Sequence, residues 1–270
     1  MRIAMFAAAA WLAAATAVSG QDLPRLTRLA DGVFSYEHVD PTKRGVEVNN
    51  LVLVTSDGVL VADGQGTVDN TKQLVDDIAK VTPQPIRYVV VGSIHGDHRG
   101  GDAGFPASAS FVKEKRQLTL GGREIQVLSL GRAHTGTDLE VYLPREKIMF
   151  MSESFSNGIF PSLANGYPSE WISALERAEQ MDVDVYVPAH ATIGIARLET
   201  SRSAVHTYRL ALERVRAEGR RLHGSGVSVD DAPKAADFGE FGRWFRVQEN
   251  APGALKRVYM ELDGQLKEQW

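Results

Sequence analysis

Residues 86–101 read IRYVVVGSIHGDHRGG, an apolar run that leads directly into two histidines and an aspartate. The stretch Ile86–Gly92, apolar except for Arg87, predicts a β-strand that is buried on both faces. His95, Asp97 and His98 follow that strand closely. Loops at strand ends are where α/β proteins build their functional sites. The segment therefore predicts a site with imidazole and carboxylate groups at the end of a buried strand.

Two further histidines follow predicted strands in the same way. His134 comes after the strand predicted at Arg123–Leu130, and His190 comes after the one at Val183–Val187. Zinc and similar ions bind histidine nitrogen and carboxylate oxygen, and catalytic sites leave one position open for water. These residues therefore predict a catalytic metal site. The other three histidines do not fit this pattern and are interpreted as surface or internally paired residues: His38, His206 and His223.

The sequence gives little support for other kinds of catalytic site. It has no His-Glu-x-x-His, Gly-x-Ser-x-Gly, phosphate-loop or dinucleotide-binding motif. Ser93, two residues before His95, raises the alternative of a serine–histidine nucleophile, but a metal site accounts for more of the residues. The chain has no cysteine, which excludes thiolate nucleophiles, iron–sulfur clusters and cysteine zinc sites. Any metal must be held by nitrogen and oxygen.

Strands and helices alternate along the chain in two similar stretches, which predicts an α/β fold of sheets covered by helices. Two β-branched runs, Asn50–Thr55 and Gly58–Asp63, flank a Ser-Asp-Gly turn and predict a hairpin. The other predicted strands are Ser108–Val112, Leu139–Leu143 and Lys147–Met151. The predicted helices are Thr67–Val81, Ser169–Met181, Leu198–Leu222 and Ala251–Leu262.

The stretch from Ser156 to Pro168 is rich in turn residues and also carries large apolar side chains: Ile159, Phe160, Leu163 and Tyr167. Two interpretations are open for it. It could shape a substrate pocket beside the metal site, or it could be a surface connection that packs its own side chains.

The first 20 residues predict a secretory signal peptide. Arg2 precedes an Ala-rich apolar run, and small residues at 19 and 20 precede Gln21. The run is too short for a membrane-spanning helix, which needs about 20 apolar residues. We therefore expect one domain over residues 21–270, periplasmic or secreted, with no stable membrane anchor once the signal is removed.

The charge balance indicates which partners to expect. The 30 Lys and Arg residues against 34 Asp and Glu give a net charge of −4, with no long basic run. Because phosphate binding needs clustered cations, this composition argues against nucleic acid as a partner. A small molecule is the expected substrate.

Several motifs resemble those of the metallo-β-lactamase superfamily, in the same order along nearly the whole mature chain. The His-x-His-x-Asp-His signature stands here as SIHGDH at 93–98, and the Gly-x-x-His-Thr segment as GRAHT at 131–135. The Pro-Gly-His segment is matched by PAH at 188–190, and Leu-Phe-x-Gly-Asp by MFMSE at 149–153. The resemblance implies a four-layer αββα sandwich with its metal site at one edge, between the two sheets.

The resemblance also implies two adjacent metal positions. The ligands of one are Asp97, His98 and His190, all present in this chain. The other keeps only His95 and His134 of its three imidazoles. We expect Zn²⁺ or another divalent ion, tightly bound at the first position and weaker or absent at the second.

Two departures from the superfamily pattern cause this asymmetry. Ser93 replaces the third imidazole of the weaker position, and a hydroxyl is a poor zinc ligand. Glu153 replaces the bridging aspartate, and its extra methylene would let the carboxylate reach across and replace part of the lost coordination. Asp63, in contrast, matches the superfamily's early aspartate, and the resemblance implies that it orients the metal-binding loop.

The implied activity is zinc-dependent hydrolysis of a small-molecule ester, lactone, thioester or β-lactam by metal-bound hydroxide. Asp97 is expected to orient the attacking water, and Ser93 to stabilise the oxyanion. Three alternatives are a β-lactamase proper, a hydrolytic dehalogenase, and a metal-poor periplasmic binding relative without catalysis.

Overall fold

A computed structural model describes residues 23–40, 42–193 and 200–267. The predicted signal peptide, residues 1–20, lies outside these ranges. Within them, no helix combines the length and apolar character needed to cross a membrane. The division of the chain at residue 20 and the periplasmic or secreted location stay predictions.

The strands of the described residues form two sheets. They are β1 (Arg25–Ala30), β2 (Val33–Val39), β3 (Val46–Thr55), β4 (Gly58–Ala62), β5 (Ile86–Val90), β6 (Ser110–Val112), β7 (Arg116–Leu120), β8 (Arg123–Leu128), β9 (Glu140–Leu143), β10 (Ile148–Phe150), β11 (Ser156–Asn157), β12 (Val185–Val187) and β13 (His190–Thr192). The larger sheet has the order β1-β2-β3-β4-β5-β6, with β13 on β3 and β11 on β13. The smaller sheet has the order β12-β10-β9-β8-β7.

Helices cover the outer face of each sheet. They are α1 (Val68–Ala79), α2 (Gly96–Arg99), α3 (Pro168–Gln180), α4 (Arg202–Gly224), α5 (Ala232–Ala235) and α6 (Val247–Leu262). On the larger sheet, α1 buries Leu74 against the outward-facing side chains. On the smaller sheet, α3, α4 and α6 form one apolar cluster that includes Trp171 and Leu212. Between the sheets, Leu51 and Phe150 belong to a third cluster. The predicted four-layer αββα sandwich is confirmed.

The predicted buried strand and hairpin are confirmed by the topology of the larger sheet. β5 lies between β4 and β6 and is parallel to both, which explains why Ile86, Val89 and Val90 are buried, while Arg87 at its start is exposed. β3 and β4 form the hairpin, with Thr55 opposite Gly58. Side chains alternate along β3, so Leu51 faces the smaller sheet while Val52 faces α1.

Two helices begin several residues away from their predicted first residue. α4 begins at Arg202 and not at Leu198, because the Ser201 side chain accepts a hydrogen bond from the Ala204 N–H and caps the helix there. α6 begins at Val247, so that Pro252 lies inside the helix and not near its first turn. Arg246 precedes this helix in a left-handed backbone conformation, which no local sequence signal indicates.

The fold brings the carboxyl ends of several strands to one edge. β4 and β5 are parallel neighbours, and so are β10 and β12. Asp63 follows β4, the His95–His98 segment follows β5, and Glu153 follows β10. His190 follows β12 at the start of β13, and His134 lies in the loop after β8. The candidate site therefore lies at the edge where these strands end.

Glu140, at the start of β9, gives a testable pH dependence of stability. Its side chain is buried, and it accepts hydrogen bonds from Ser154 Oγ at 2.7 Å and from the Leu130 N–H at 3.1 Å. Burial raises the pKa of Glu140 to about 8, from an ordinary value of 4.5, despite these hydrogen bonds. The neutral acid is therefore favoured in the folded chain. Its contribution to stability is complete below pH 4.5 and is lost as the pH rises towards 8.

We expect Glu140→Gln to become more stable relative to the wild type as the pH rises from 4.5 to 8. The free energy of unfolding of the variant relative to the wild type should rise by on the order of 3 kcal/mol over this pH range. One pKa unit corresponds to about 1.4 kcal/mol, and local relaxation around the charged side chain makes the effect smaller than the full pKa shift implies. Urea unfolding at several pH values measures it. Glu176→Gln, at an exposed position of α3, is the control and should follow the wild type. Parallel curves for Glu140→Gln and the wild type would contradict the assignment.

Candidate metal centre

Two groups of possible metal ligands meet at this edge and share one residue. The four-residue group consists of Asp97, His98, Glu153 and His190. The three-residue group consists of His95, His134 and Glu153. Within each group the donor atoms lie within 4.8 Å of one another. The structure therefore brings together all six residues that the sequence analysis names as metal ligands.

The spacing of the donor atoms suits a single ion in the four-residue group. His190 Nε2 lies 3.1 Å from His98 Nε2 and 3.2 Å from Asp97 Oδ2. Glu153 Oε1 is 3.6 Å from His190 Nε2 and 3.8 Å from His98 Nε2. Ligands about 2.1 Å from a tetrahedral ion are about 3.4 Å apart. The donor set and its spacing thus fit a divalent ion.

The three-residue group has similar spacing but one ligand fewer. His95 Nδ1 lies 3.2 Å from His134 Nε2 and 2.8 Å from Glu153 Oε2. His134 Nε2 is 3.2 Å from Glu153 Oε1. The His134 ring packs edge-on against Trp171, with 5.2 Å between ring centroids. The three-residue group supplies two imidazoles and one carboxylate, so an ion held there would have room for a fourth ligand from solvent or substrate.

Asp63 occupies the position that the sequence analysis expects of an orienting residue. Its Oδ2 lies 3.1 Å from His98 Nδ1 and accepts a hydrogen bond from Ser152 Oγ at 2.7 Å. Its Oδ1 accepts from the Gly92 N–H at 2.5 Å, at the end of the buried strand. A carboxylate beside Nδ1 favours the proton on that nitrogen, so the lone pair of His98 Nε2 faces the other ligands.

A backbone carbonyl orients His190 in the same way. Its Nδ1 lies 2.9 Å from the Glu47 carbonyl oxygen on β3, where it donates a hydrogen bond. In the neutral ring this leaves the lone pair of Nε2 available to an ion. When no ion is bound, Nε2 carries a proton and donates a hydrogen bond to Asp97. Pairing of β13 with β3, with His190 opposite Val48, fixes the position of the ring.

Glu153 is held at the centre of the site by a short turn. Residues 152–154 form one turn of 3₁₀ helix after β10, and Ser152 adopts a left-handed backbone conformation with φ 44°. Burial disfavours the charged form of Glu153, but the charges of His134 and His98 outweigh it and hold the pKa well below its usual range. The carboxylate is therefore ionised and available to an ion.

Ser93 is buried and lies in contact with Glu153. Its Oγ donates a hydrogen bond to Glu153 Oε2 and accepts one from the His95 N–H at 3.2 Å. The two departures that the sequence analysis links are thus direct neighbours. The predicted role of Ser93 as an oxyanion donor would require its hydroxyl to turn away from Glu153, because that hydroxyl already donates its hydrogen bond to the carboxylate.

Asp97 and His190 form a pair in which the carboxylate is ionised and the imidazole is protonated. Burial disfavours ionised Asp97, but the hydrogen bond from His190 and the charges of His98 and His190 hold its pKa well below its usual range. Burial disfavours charged His190, but hydrogen bonds to Asp97 and Glu153 outweigh it and raise its pKa to about 9. An ion that binds here must displace protons from imidazoles.

A cavity of about 380 Å³ opens beside both ligand groups. Ile159 and Phe160 line it, which supports the pocket interpretation of the 156–168 stretch for those two residues. Leu163 and Tyr167 do not line the cavity and are buried at 1% exposure each, so that these two side chains pack in the interior.

Lys43 is a site residue that the sequence analysis missed. Its Nζ forms an ion pair with Asp97 Oδ2 and lies 3.6 Å from Asp40 Oδ2. Burial lowers its pKa, but the charge of Asp97 outweighs this and the pKa lies above its ordinary value. The residue stands in the connection between β2 and β3, 54 positions before Asp97, and no motif marks it.

We expect Lys43→Met to bind zinc about tenfold more tightly than the wild type, because the ammonium and the ion compete for the same carboxylate oxygen of Asp97. Competition with a chromogenic chelator measures the affinity. Lys113→Met, at an exposed position, is the matched control. Equal or weaker zinc binding by Lys43→Met would show that Lys43 does not oppose the ion.

The three histidines interpreted as surface or paired residues lie outside both ligand groups. His206 Nδ1 is 3.1 Å from Glu179 Oε2, and His223 Nε2 is 2.9 Å from Asp263 Oδ1. His38 Nδ1 is 2.6 Å from the Val39 carbonyl oxygen. Their contacts agree with that interpretation.

Comparison with known proteins finds metallo-β-lactamases among the relatives and also, at 25% identity over 34% of this chain and 28% of the relative, the 2,4-dinitroanisole O-demethylase subunit alpha of Nocardioides sp. (strain JS1661). No protein-family model matches the sequence. The chain is 24% identical to the metallo-β-lactamase type 2 of Bacillus cereus over 176 residues, which spans 55% of this chain and 69% of the relative. A metallo-β-lactamase structure from Pontibacter korlensis matches with a TM-score of 0.59 and 22% identity over 70% of this chain and 98% of that one. One from Erythrobacter litoralis matches with a TM-score of 0.59 and 20% identity over 70% and 95%.

Proposed function

The chain has the metallo-β-lactamase fold, and we propose that it uses this fold as a metal-dependent hydrolase of small molecules with a reactive carbonyl group. The observation that carries the proposal is the convergence of six histidine and carboxylate ligands from separate loops beside one cavity. Such a concentration of buried titratable groups in a cleft is typical of catalytic sites.

The residues present suit one or two divalent ions. The four-residue group would hold one ion through Asp97, His98, His190 and Glu153, and the three-residue group a second. A bound ion of this kind lowers the pKa of water and polarises a carbonyl oxygen. Zinc suits the mixed nitrogen and oxygen donors.

The protein's own groups would supply the rest of the chemistry. Asp97, at the cavity wall, would accept a hydrogen bond from the attacking water and orient it towards the substrate. The other groups hold the ligands: Asp63 and the Glu47 carbonyl fix two imidazoles, and Ser93 fixes Glu153. Ser93 would stabilise an oxyanion only after its hydroxyl leaves Glu153.

The cavity volume of about 380 Å³ suits a small substrate and no polymer. Esters, lactones, thioesters and β-lactams all present a carbonyl that activated water can attack. β-Lactams have additional support, because the Bacillus cereus relative is named a metallo-β-lactamase. A periplasmic or secreted location would agree with such a substrate.

A chromogenic panel tests the proposal on protein that begins at Gln21. The panel holds 4-nitrophenyl esters, a lactone with a pH indicator, a thioester with a thiol reagent, and a chromogenic β-lactam. Zinc-loaded protein should hydrolyse at least one class, and chelated protein should hydrolyse none. Zinc binding without turnover of any class would favour the binding relative over the enzyme.

The two ligand groups should differ in metal affinity. We expect protein purified without added zinc to keep one equivalent through mild chelation and to lose a second more readily, because one group has four donors and the other three. Metal content by mass spectrometry at increasing chelator concentration measures this. Two equivalents that resist chelation equally would rule out the asymmetry.

A further inference from the structure

Arg257, in α6, is buried at 2% exposure and holds a turn of backbone. Its Nε donates to the Gly166 carbonyl oxygen at 2.5 Å, and its Nη2 to the Asn165 carbonyl oxygen at 3.4 Å. The Gly166 N–H in turn donates to the Leu163 carbonyl oxygen at 2.9 Å, which closes a turn over residues 163–166, here called the Asn165 turn. The guanidinium also lies over the ring of Tyr167, 5.2 Å from its centroid.

The position of Arg257 is unfavourable for a charged group. Within the described ranges, no carboxylate lies at ion-pair distance from its guanidinium, whereas Arg216 of the same helical layer pairs with Glu261 at 2.7 Å. Burial lowers the pKa of Arg257, because the charged form loses its contact with water. The hydrogen bonds to the Asn165 turn offset part of this cost. The guanidinium and the turn are therefore fixed together.

The Asn165 turn and the residue after it contact the three-residue ligand group near both of its histidines. Asn165 Nδ2 lies 3.4 Å from His95 Nε2. The Tyr167 N–H donates to the Ala133 carbonyl oxygen at 2.9 Å, directly before His134. A shift of the turn would therefore be felt at both imidazoles of this group.

The contact between Asn165 and His95 has a consequence for metal binding. An ion bound through His95 Nδ1 leaves the ring proton on Nε2, so that Nε2 must donate a hydrogen bond. The Asn165 carboxamide can present its oxygen to Nε2 by rotation of the amide group and accept that bond. Partners of this kind orient a metal-binding imidazole and raise its basicity, and their loss typically costs about 10- to 100-fold in metal affinity.

We propose that Arg257 is a positioning residue for the three-residue group, the metal position expected to be the weaker one. Its guanidinium holds the Asn165 turn, and Asn165 accepts the hydrogen bond of His95 Nε2 when Nδ1 binds an ion. α6 thereby sets the affinity of a metal position to which it contributes no ligand. The inference rests on the proposed function only in treating the three-residue group as a metal site.

Zinc titration of chelator-stripped protein against a chromogenic chelator gives a dissociation constant for each metal position. We expect Asn165→Ala to weaken the looser position by about tenfold and to leave the tighter one within about twofold. Because Asn165 is exposed, this variant should melt at the wild-type temperature. Asn165→Asp, whose carboxylate can only accept, should bind the second zinc at least as tightly as the wild type. Unchanged zinc affinity in Asn165→Ala would overturn the proposal.

Arg257→Lys tests whether the guanidinium acts through Asn165. Lysine keeps the charge but lacks the planar fork that reaches two carbonyl oxygens, so we expect the second zinc to bind about fivefold more weakly. The double variant with Asn165→Ala should be no weaker than Asn165→Ala alone, because the guanidinium then has no side chain left to position. Losses that multiply in the double variant would overturn the positioning role. Arg220→Lys, at an exposed position of α4, is the control and should bind both ions like the wild type.

The outcomes also separate this inference from the proposed function. A wild type that binds no second zinc would contradict the three-residue group as a metal site and the role of Arg257 with it. Variants that behave as expected, in a protein that hydrolyses no panel substrate, would contradict the proposed function alone.

Discussion

Glu153→Gln should lose metal from both ligand groups at once. Glu153 is the residue that the two groups share, with Oε2 2.8 Å from His95 Nδ1 and Oε1 3.2 Å from His134 Nε2. The amide keeps the shape of the side chain but removes the charge that offsets the ion. We expect zinc affinity to fall by about a hundredfold or more at both positions, and turnover by on the order of a thousandfold.

Mass spectrometry of the intact protein under non-denaturing conditions counts the ions that remain. Glu170→Gln is the matched control, because Glu170 is a half-exposed acid that pairs with Arg132 away from both ligand groups. It should keep the wild-type metal content. If Glu153→Gln held two ions with wild-type affinity, Glu153 would not be a shared ligand.

Asp97→Asn should affect only one of the two ligand groups. Asp97 belongs to the four-residue group and not to the three-residue group. At saturating zinc we expect about one ion per chain, and turnover lower by on the order of a thousandfold, because the variant loses both a ligand and the group that orients water. Metal content and turnover on the same sample measure both effects.

Asp69→Asn, at an exposed position in the first turn of α1, is the control for Asp97→Asn. It removes one carboxylate charge without touching either ligand group. Two ions per chain together with near wild-type turnover in Asp97→Asn would contradict the role of Asp97 both as a ligand and in catalysis.

The parts of the fold with strong periodicity could be predicted from the sequence. Apart from the exposed Arg87, β5 is apolar, because β4 and β6 flank it and most of its side chains are covered. Strands β1, β2 and β7 were not predicted. Arg25–Ala30 and Val33–Val39 mix charged and apolar residues without a clear period, and the alternation in Arg116–Leu120 extends over only two buried leucines. Their pairing depends on neighbours in the sheet more than on local preference.

The candidate site shows the same division. His95, Asp97 and His98 form a dense local cluster, which the sequence reveals directly. The hydrogen bond between Ser93 and Glu153 joins residues 60 positions apart. The superfamily resemblance linked these two residues through metal coordination but did not predict that they touch.

Lys43 and Arg246 were missed because each lies in a connection with no motif, and only the tertiary fold brings them to the cavity wall. An isolated lysine or arginine in a sequence is usually a surface residue, and only its position in the folded chain shows that it lines a cavity. Sequence patterns therefore locate the candidate metal ligands but not every charged group at the cavity wall.

The most direct test of metal-dependent hydrolysis is a zinc titration of chelator-stripped protein, with turnover of the best panel substrate and bound metal followed together. We predict no turnover in the metal-free protein and a rise in turnover that follows occupancy of the ligand groups. Full turnover by protein shown to contain no metal would contradict the account.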